Sequence, residues 1–518
     1  MKYLALLLLV FLSGCASTPA VQSPVALAPT HGYVYVNLPA DSSLNGGIKL
    51  RSLKDKREYQ LPARSQGARG YGLWLPEGDY QISEWRGTPL RNYPTFAVQA
   101  RRVTSLGSVL SIQVGGYALV VLPIQHSEDA ALAQQVANEY QSYLISPEPI
   151  LWKPEGMPKP VTPPVPSTGL GIVGDLLMAY DRSVNETPLK KRLLEAQSID
   201  EFFQLAKLIM PPVTEAVLDS ESNTYFGADL GQVRRRNRDG LWSSLDTGTL
   251  RTITAVAISG KTLLAGSDDG VLRASTDNGK TWQRVAAVAQ DEAIVGIHRI
   301  GHQWLVAASH WSITYPGWKQ SDQLKVYSAA ADNFSDLAIS RQFPMPGLAP
   351  NYYGSNGGQV AGHYFYLTAF PGLWRLDLTT QEWVSVTPPI TTSGFNANPS
   401  GSVLAAYLAQ GIFSKLFIST DFGNSWTQYN EPMYAITNIY FDTPEDGRAT
   451  RIRADTFSAV FEIQQYDRSH NRWQKKYEAP AGCERLLWIG GAPHYCITKG
   501  GSILRNEGTE WKAEFTAE

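Results

Sequence analysis

From Gly32 onward the chain alternates apolar and polar residues over short runs, the period of half-buried strands. The clearest runs are Tyr33-Val34-Tyr35-Val36, Ile48-Lys49-Leu50-Arg51, Tyr71-Gly72-Leu73-Trp74-Leu75 and Tyr80-Gln81-Ile82-Ser83. Pro76-Glu77-Gly78-Asp79 turns the chain between the last two. With further strands at 96–98, 109–114 and 117–122, residues 31–125 are predicted to form a small β-sandwich. The period then changes. Ser127 ahead of Glu128-Asp129 predicts an N-cap and a helix to about residue 145. Residues 147–166 carry eight prolines, which exclude a helix or a central strand. Helical spacing returns at 174–181 and 187–210, where Leu189, Leu193, Leu194, Phe202, Phe203, Leu205 and Leu208 supply the apolar stripe. Residues 126–210 therefore read as a helical and Pro-rich connector.

From residue 211 the pattern repeats. Each unit has a short strand, often opened by Gly, and an aromatic several residues later: Gly231-Gln232-Val233-Arg234 with Trp242, then Gly270-Val271-Leu272-Arg273 with Trp282. Runs at 324–327, 372–375, 415–418, 459–462 and 501–504 are followed by Phe334, Trp383, Trp426, Trp473 and Trp511. Seven units of about 43 residues have the size of four-stranded blades. A solenoid is the alternative, but a closed ring removes exposed edges. The expected fold is mainly β: a C-terminal seven-bladed β-propeller over 211–518, preceded by a small β-sandwich and a short helical connector.

Two units share one octamer. Ser275-Thr276-Asp277-Asn278-Gly279-Lys280-Thr281-Trp282 recurs as Ser419-Thr420-Asp421-Phe422-Gly423-Asn424-Ser425-Trp426, and 328–334 holds a worn copy. Asp can bond nearby amides, Gly supplies positive φ, and Trp packs back between sheets. The octamer resembles the Asp-box, or bacterial neuraminidase repeat, of sialidase-like propellers. Seven such blades are similar to the photosystem II assembly-factor propeller and its non-photosynthetic bacterial relatives, whereas sialidases have six. The resemblance implies a structural part for Ser275, Asp277, Gly279, Trp282, Ser419, Asp421, Gly423 and Trp426, in turns between the third and fourth strands and away from the usual ligand face. In the N-terminal domain, Leu75-Pro76-Glu77-Gly78-Asp79-Tyr80 is similar to the strand-turn of prealbumin-like or carboxypeptidase-regulatory-like sandwiches.

A chain of 518 residues exceeds one ordinary core, so two or more domains are expected. The 44 Gly and 32 Pro mark many turns and agree with a β-rich reading. A formal net charge of −2 offers no global field for nucleic acid, and none is expected as partner.

The first residues bear on location. Met1-Lys2 and an apolar run over 3–12, too short to span as a mature helix, precede Leu12-Ser13-Gly14-Cys15. That tetrapeptide looks like a bacterial lipobox. The resemblance implies a signal peptide over 1–14, acylation of Cys15 and stable attachment to a bilayer through two or three chains. Ala16 stands where Asp would signal inner-membrane retention, so the expected address is the outer membrane on its periplasmic side, with surface display as the other option. Residues 15–30, rich in Ser, Thr, Pro and Ala, read as a tether. Cys483 and Cys496 remain, an even pair in an oxidising compartment, which suggests a disulfide over two separate buried thiols. They lack further ligands at metal spacing, and neither metal nor cofactor is expected.

Sialidase-type hydrolysis needs three arginines on a carboxylate, a Tyr–Glu pair and an Asp acid. Arg251, Arg299, Arg451 and Arg453 have no spacing that selects three, and no catalytic residue is assigned. The basic run 234–238 reads as a solvated surface, or as a contact for acidic lipopolysaccharide or an acidic partner. Two long insertions, 310–318 and 350–358, are expected as loops on the face opposite the Asp-boxes. They carry Trp311, Tyr315, Trp318, Tyr352 and Tyr353, residue types that suit recognition or simply pack loops down. Two functions remain: a binding or scaffold lipoprotein docking a protein or glycan through that face, or a carbohydrate-active hydrolase or lyase using it.

Overall fold

The structure is a computed structural model and describes residues 29–37, 47–64, 70–85, 88–90, 93–113, 119–154, 176, 187–314, 318–345, 357–432, 435–454, 459–498 and 500–516. The N-terminal domain has ten strands: β1 (His31–Asn37), β2 (Ile48–Ser52), β3 (Glu58–Leu61), β4 (Tyr71–Pro76), β5 (Gly78–Trp85), β6 (Thr88–Pro89), β7 (Thr95–Val98), β8 (Val103–Gln113), β9 (Leu119–Ile124) and β10 (Ile150–Leu151). One sheet runs β10-β8-β1-β4 with β9 also on β8; the other runs β3-β2-β5-β6 with β7 also on β5. Val34, Val36, Leu50, Ile82, Trp85, Phe96 and Val109 fill the space between them. The alternation in the sequence is therefore the alternation of inward and outward positions on two packed sheets.

Three α-helices have their bounds within the described residues: α1 (Ser127–Glu139), which precedes β10, then α2 (Pro188–Glu195) and α3 (Ile199–Ile209). The cap of α1 is His126 rather than Ser127, because Asp129 closes a capping box onto the His126 backbone. The helix stops at Glu139, six residues short of the sequence expectation, and passes into a 3-10 turn over Gln141–Tyr143. The stripe over 187–210 is divided at Ser198, whose hydroxyl accepts from the Glu201 N–H and starts α3. Nearly all of the 174–181 segment lies outside the described residues. β8 is long enough to serve two cores. Its second half and β9 contribute Leu110, Ile112, Val120 and Leu122 to a layer with Leu193, Phe202 and Ala206 of the helices and Leu230 and Leu250 of the propeller.

The rest is a seven-bladed propeller. Blades 1 to 7 occupy 217–246, 253–287, 292–344, 359–385, 394–429, 435–478 and 483–515, each a four-stranded antiparallel sheet whose strands follow one another in the chain. Except in blade 3, where Phe334 stands four residues ahead, the repeating aromatic lies at or next to the start of the fourth strand, and in blades 5, 6 and 7 it bonds to the preceding blade. The indole N–H of Trp426 donates to the Val386 carbonyl at 2.9 Å, that of Trp473 to Asn430 at 2.8 Å, and that of Trp511 to Glu478 at 3.2 Å. In each case the acceptor is the last residue of the preceding blade or the one after it. Trp242 repeats the motion at the closure, donating to the Glu514 carboxylate of blade 7 at 3.0 Å and packing with Phe226 and Tyr495. The ring thus closes through side chains, since the sheets of blades 1 and 7 share no strand.

Candidate functional site

The two octamers form the same turn between third and fourth strands. Ser275 Oγ donates to Asp277 Oδ1 at 2.8 Å and accepts from the Gly279 N–H at 2.9 Å; Asp277 accepts from Thr281 N at 2.9 Å and Thr281 Oγ1 at 2.6 Å. Ser419, Asp421, Gly423 and Ser425 repeat every one of these bonds within 0.1 Å. Asn278 and Phe422 take φ of 61° and 62°, and Gly279 and Gly423 follow at 83° and 89°. Bonds from the Thr281 hydroxyl and amide hold the Asp277 carboxyl down to about 2. Partial burial of Asp421 opposes ionisation, but the bonds from Ser425 and Ser419 hold its carboxyl below the ordinary range as well. Both carboxylates are consumed in building the turn, on the face we call lower.

The opposite, upper face carries the turns between second and third strands and the connections between blades. The N-terminal domain sits on part of it. Asn37, at the end of β1, accepts from Arg251 Nη2 at 3.0 Å and donates to Asp129 Oδ1 and Ser108 Oγ, both at 3.0 Å. Glu128 of α1 accepts from Arg273 Nη2 at 2.9 Å and Thr249 Oγ1 at 3.0 Å. Arg251 and Asp129 are almost completely buried, and a buried charge persists only where it is paired and hydrogen-bonded. With the Leu230 and Leu250 contacts, this network fixes the sandwich and helices over blades 1 and 2. Sequence reasoning read Glu128-Asp129 only as favourable first-turn acids. Glu128 finds Thr249 and Arg273 more than a hundred residues away and Asp129 finds Asn37 92 residues back, beyond any local pattern.

Blade 3 departs most from its neighbours. Its second and third strands, Gln303–Thr314 and Trp318–Ala329, have twelve residues each, against six and five in blade 2. The expected loop at 310–318 is instead a continuation of the blade as a hairpin, in register from His310↔Gln323 to Thr314↔Trp318 with a bulge at His310/Trp311. Trp311 and Ile313 alternate with Ser312 and Thr314 at the strand period, and ladder pairing carries that pattern through the expected loop. Trp311 and Trp318 are both in this ladder, opposite Ser321 and Thr314. Tyr315, Tyr352 and Tyr353 lie outside the described residues, as does Cys15.

The hairpin is anchored at its base. His310 bonds Asp322 at 2.5 Å through Nδ1 and Asp291 at 2.9 Å through Nε2. Burial works against charge on His310, but the two carboxylates raise its pKa above the ordinary value. Beneath it, fully buried Glu292 accepts from Lys325 at 2.5 Å and from the Tyr327 hydroxyl at 2.6 Å. The Met345 N–H donates to the Asp322 carbonyl at 2.8 Å. The second long insertion therefore departs beside the hairpin base and returns at Gly357, whose carbonyl is 2.6 Å from His298 Nε2. The departing root of the second insertion thus lies at the hairpin base, while its return meets His298, six residues along the first strand of blade 3 from Glu292.

The remaining sequence candidates are dispersed. Arg299 pairs with Asp332 on blade 3, while Arg451 and Arg453 share Glu462 on blade 6. The basic run is not a solvated surface throughout. Arg234 is buried with its guanidinium over Phe515 and one N–H on the Leu208 carbonyl, and burial pushes its pKa down to about 10. Arg236 is bound to Glu514, and only Arg238 at the end of the run projects freely into solvent-exposed space with Asp239. Cys483 and Cys496 are joined as a disulfide on adjacent strands of blade 7, with Cα atoms 5.7 Å apart. Among the described residues no helix is long and apolar enough to cross a membrane, and no three metal-binding side chains cluster.

No protein-family model matches the sequence, and no curated protein does. Among solved structures, the chain is similar to YCF48 from Cyanidioschyzon merolae, with a TM-score of 0.39 and 10% identity over 59% of this chain and 96% of that one. YCF48 bound to D1 peptide matches with a TM-score of 0.40 and 11% identity, over 58% and 92%. The computationally designed Ika8 protein matches with a TM-score of 0.34 and 11% identity, over 57% and 95%. At these values each match is a likeness of form.

Proposed function

We propose that this chain is a lipid-anchored bacterial envelope protein that holds a protein or glycan partner on the upper face of its propeller without transforming it. In this reading the two octamers are Asp-boxes and serve the blades. Acylated Cys15 ties the chain to the outer membrane from the periplasmic side. The observation that carries the binding role is the blade 3 hairpin, which doubles the strand length of its neighbour and is pinned by His310 to two aspartates. A two-stranded extension held in ladder register carries backbone edges beyond the rest of the face, where an extended segment can add to them. Among the described residues, the polar contacts of the sandwich and α1 with the ring fall on blades 1 and 2.

The test is site-specific cross-linking in cells. A photo-reactive residue at Ile313 should give one discrete adduct, and replacing 311–318 by a two-residue turn should abolish adducts from a second probe at Gln323. Adducts at Gln323 that survive the trimming would overturn the hairpin as the contact. Separately, Cys15→Ser should release the protein from the membrane fraction and end incorporation of a fatty-acid label; continued membrane retention would overturn the anchor.

A further inference from the structure

The upper turn of blade 5 holds two consecutive apolar side chains in solvent. Ile412 and Phe413 are 77% and 70% exposed, the two highest values among the large hydrophobic residues described. Scattered exposed hydrophobics are ordinary, but an adjacent pair at a tip is a feature to explain. The tip is stiff. Gly411 has φ +60°, the Phe413 N–H donates to the Gln410 carbonyl at 3.1 Å, and the Gln410 N–H donates to Ser414 Oγ at 3.0 Å. Ser393, from the neighbouring connection, braces the base by accepting from the Ala409 N–H at 2.8 Å. Lys415 is exposed beside the pair, and residues 403–419 contain neither Asp nor Glu.

The shape indicates what covers it. Ile412 and Phe413 cap a protrusion, and a protrusion of apolar tips with a basic flank suits a lipid interface, which yields to any convex shape. Direction agrees. β1 runs from His31 to Asn37, and Asn37 touches the upper face through Arg251. The chain preceding residue 31 thus departs from the far end of the sandwich, on the same side of the ring as the blade 5 turn. β1 spans about 23 Å at 3.3 Å per residue, whereas residues 16–30 can reach about 50 Å when extended. The tether therefore allows the ring to tilt until blade 5 meets the surface to which Cys15 is attached.

We propose that the Ile412–Phe413 turn inserts into the bilayer surface, with Lys415 against acidic headgroups, and sets the orientation of the ring. This rests on the anchoring reading given above. The experiment uses the acylated full chain carrying Phe413→Cys, because Cys483 and Cys496 are bridged and Cys15 is acylated in this reading. An environment-sensitive dye is attached and the protein is reconstituted into phosphatidylethanolamine/phosphatidylglycerol vesicles. Emission should shift to the blue and rise severalfold. The same dye on Leu241→Cys, 69% exposed in a lower-face turn of blade 1, should stay as in water, and adding Ile412→Asp to the Phe413→Cys chain should reverse the shift. If the protein floats with the vesicles but positions 413 and 241 report alike, or Ile412→Asp changes nothing, the inserted turn is overturned and the anchor stands. If it does not float, the anchor is overturned and the proposal with it.

Discussion

Arg236 and Glu514, 278 residues apart in the chain, meet in a two-point ion pair with Nε–Oε2 at 2.8 Å and Nη2–Oε1 at 2.5 Å. Their side chains are only 11% and 13% exposed, and the pair joins the first blade to the last. Trp242 adds its indole N–H to the same carboxylate.

Replacing Glu514 by Gln leaves a largely buried guanidinium without its carboxylate, and the expected loss is about 3 kcal/mol in urea unfolding. Adding Arg236→Met should recover much of it, since the uncompensated charge goes too; a double variant as unstable as the single one would contradict this account. The pH dependence has a definite sign. Burial opposes ionisation of Glu514, yet the bonds from Arg236 and Trp242 keep its folded pKa below the ordinary 4.5. Its contribution is therefore complete above 4.5 and disappears as pH falls through the folded value.

Gly423→Ala should destabilise the propeller more than Gly411→Ala. Both glycines have positive φ, which costs an L-residue about 1–2 kcal/mol. A Cβ at 423 would also lie 2.9 Å from Val386 Cβ in the adjoining blade, whereas one at 411 meets nothing within 4 Å. Thermal melts of the two variants compare the packing contribution directly, and equal shifts would show that the blade joint yields.

Reduction of Cys483–Cys496, or the double Ala variant, should lower stability by about 3 kcal/mol, from the sequence separation of 13 and the loop it closes. Urea midpoints with and without reductant measure this, and the oxidised wild type should be unaffected by thiol-blocking reagents.

His310 should titrate above a free histidine in an NMR pH series, and His310→Phe should remove a stabilisation that depends on pH. A raised folded pKa means the contribution is complete below the unfolded value of 6.5 and is lost as pH rises through the folded one. Asp322→Asn should lower the His310 pKa more than Asp291→Asn, since the Asp322 bond is the shorter.

The strands and the ring were legible because their cause is local. Val34 and Val36 alternate with Tyr33 and Tyr35 as the sheet requires, and six of the seven aromatics from Trp242 to Trp511 stand at or next to the start of a fourth strand, Phe334 lying four residues ahead of its own. Helix α1 shows where local reading stops: a Ser before two acids looks like a cap, but Asp129 reaches back to His126 and Glu128 is committed to Arg273. In the blade 3 hairpin Trp311-Ser312-Ile313-Thr314 does alternate, but so short a run beside Pro316-Gly317 suits a loop as well as a strand, and the pairing with Trp318–Ser321 decides between them. Nothing near Arg234 in sequence announces Phe515, so the basic run by itself suggests solvent. Contacts between distant segments leave no mark on either segment alone.

A propeller whose end blades share no strand is a split ring. At six joints the polypeptide itself crosses from one blade to the next, so separation there is limited by covalent length. At the seventh, opening requires that side-chain contacts such as Arg236–Glu514, Arg234–Phe515 and the packing of Trp242 and Phe226 on Tyr495 let go, with no ladder to unzip. Heat or mechanical pull on the chain should therefore part the molecule first at that gap, and a clip placed there would toughen the whole circle more than the same clip anywhere else.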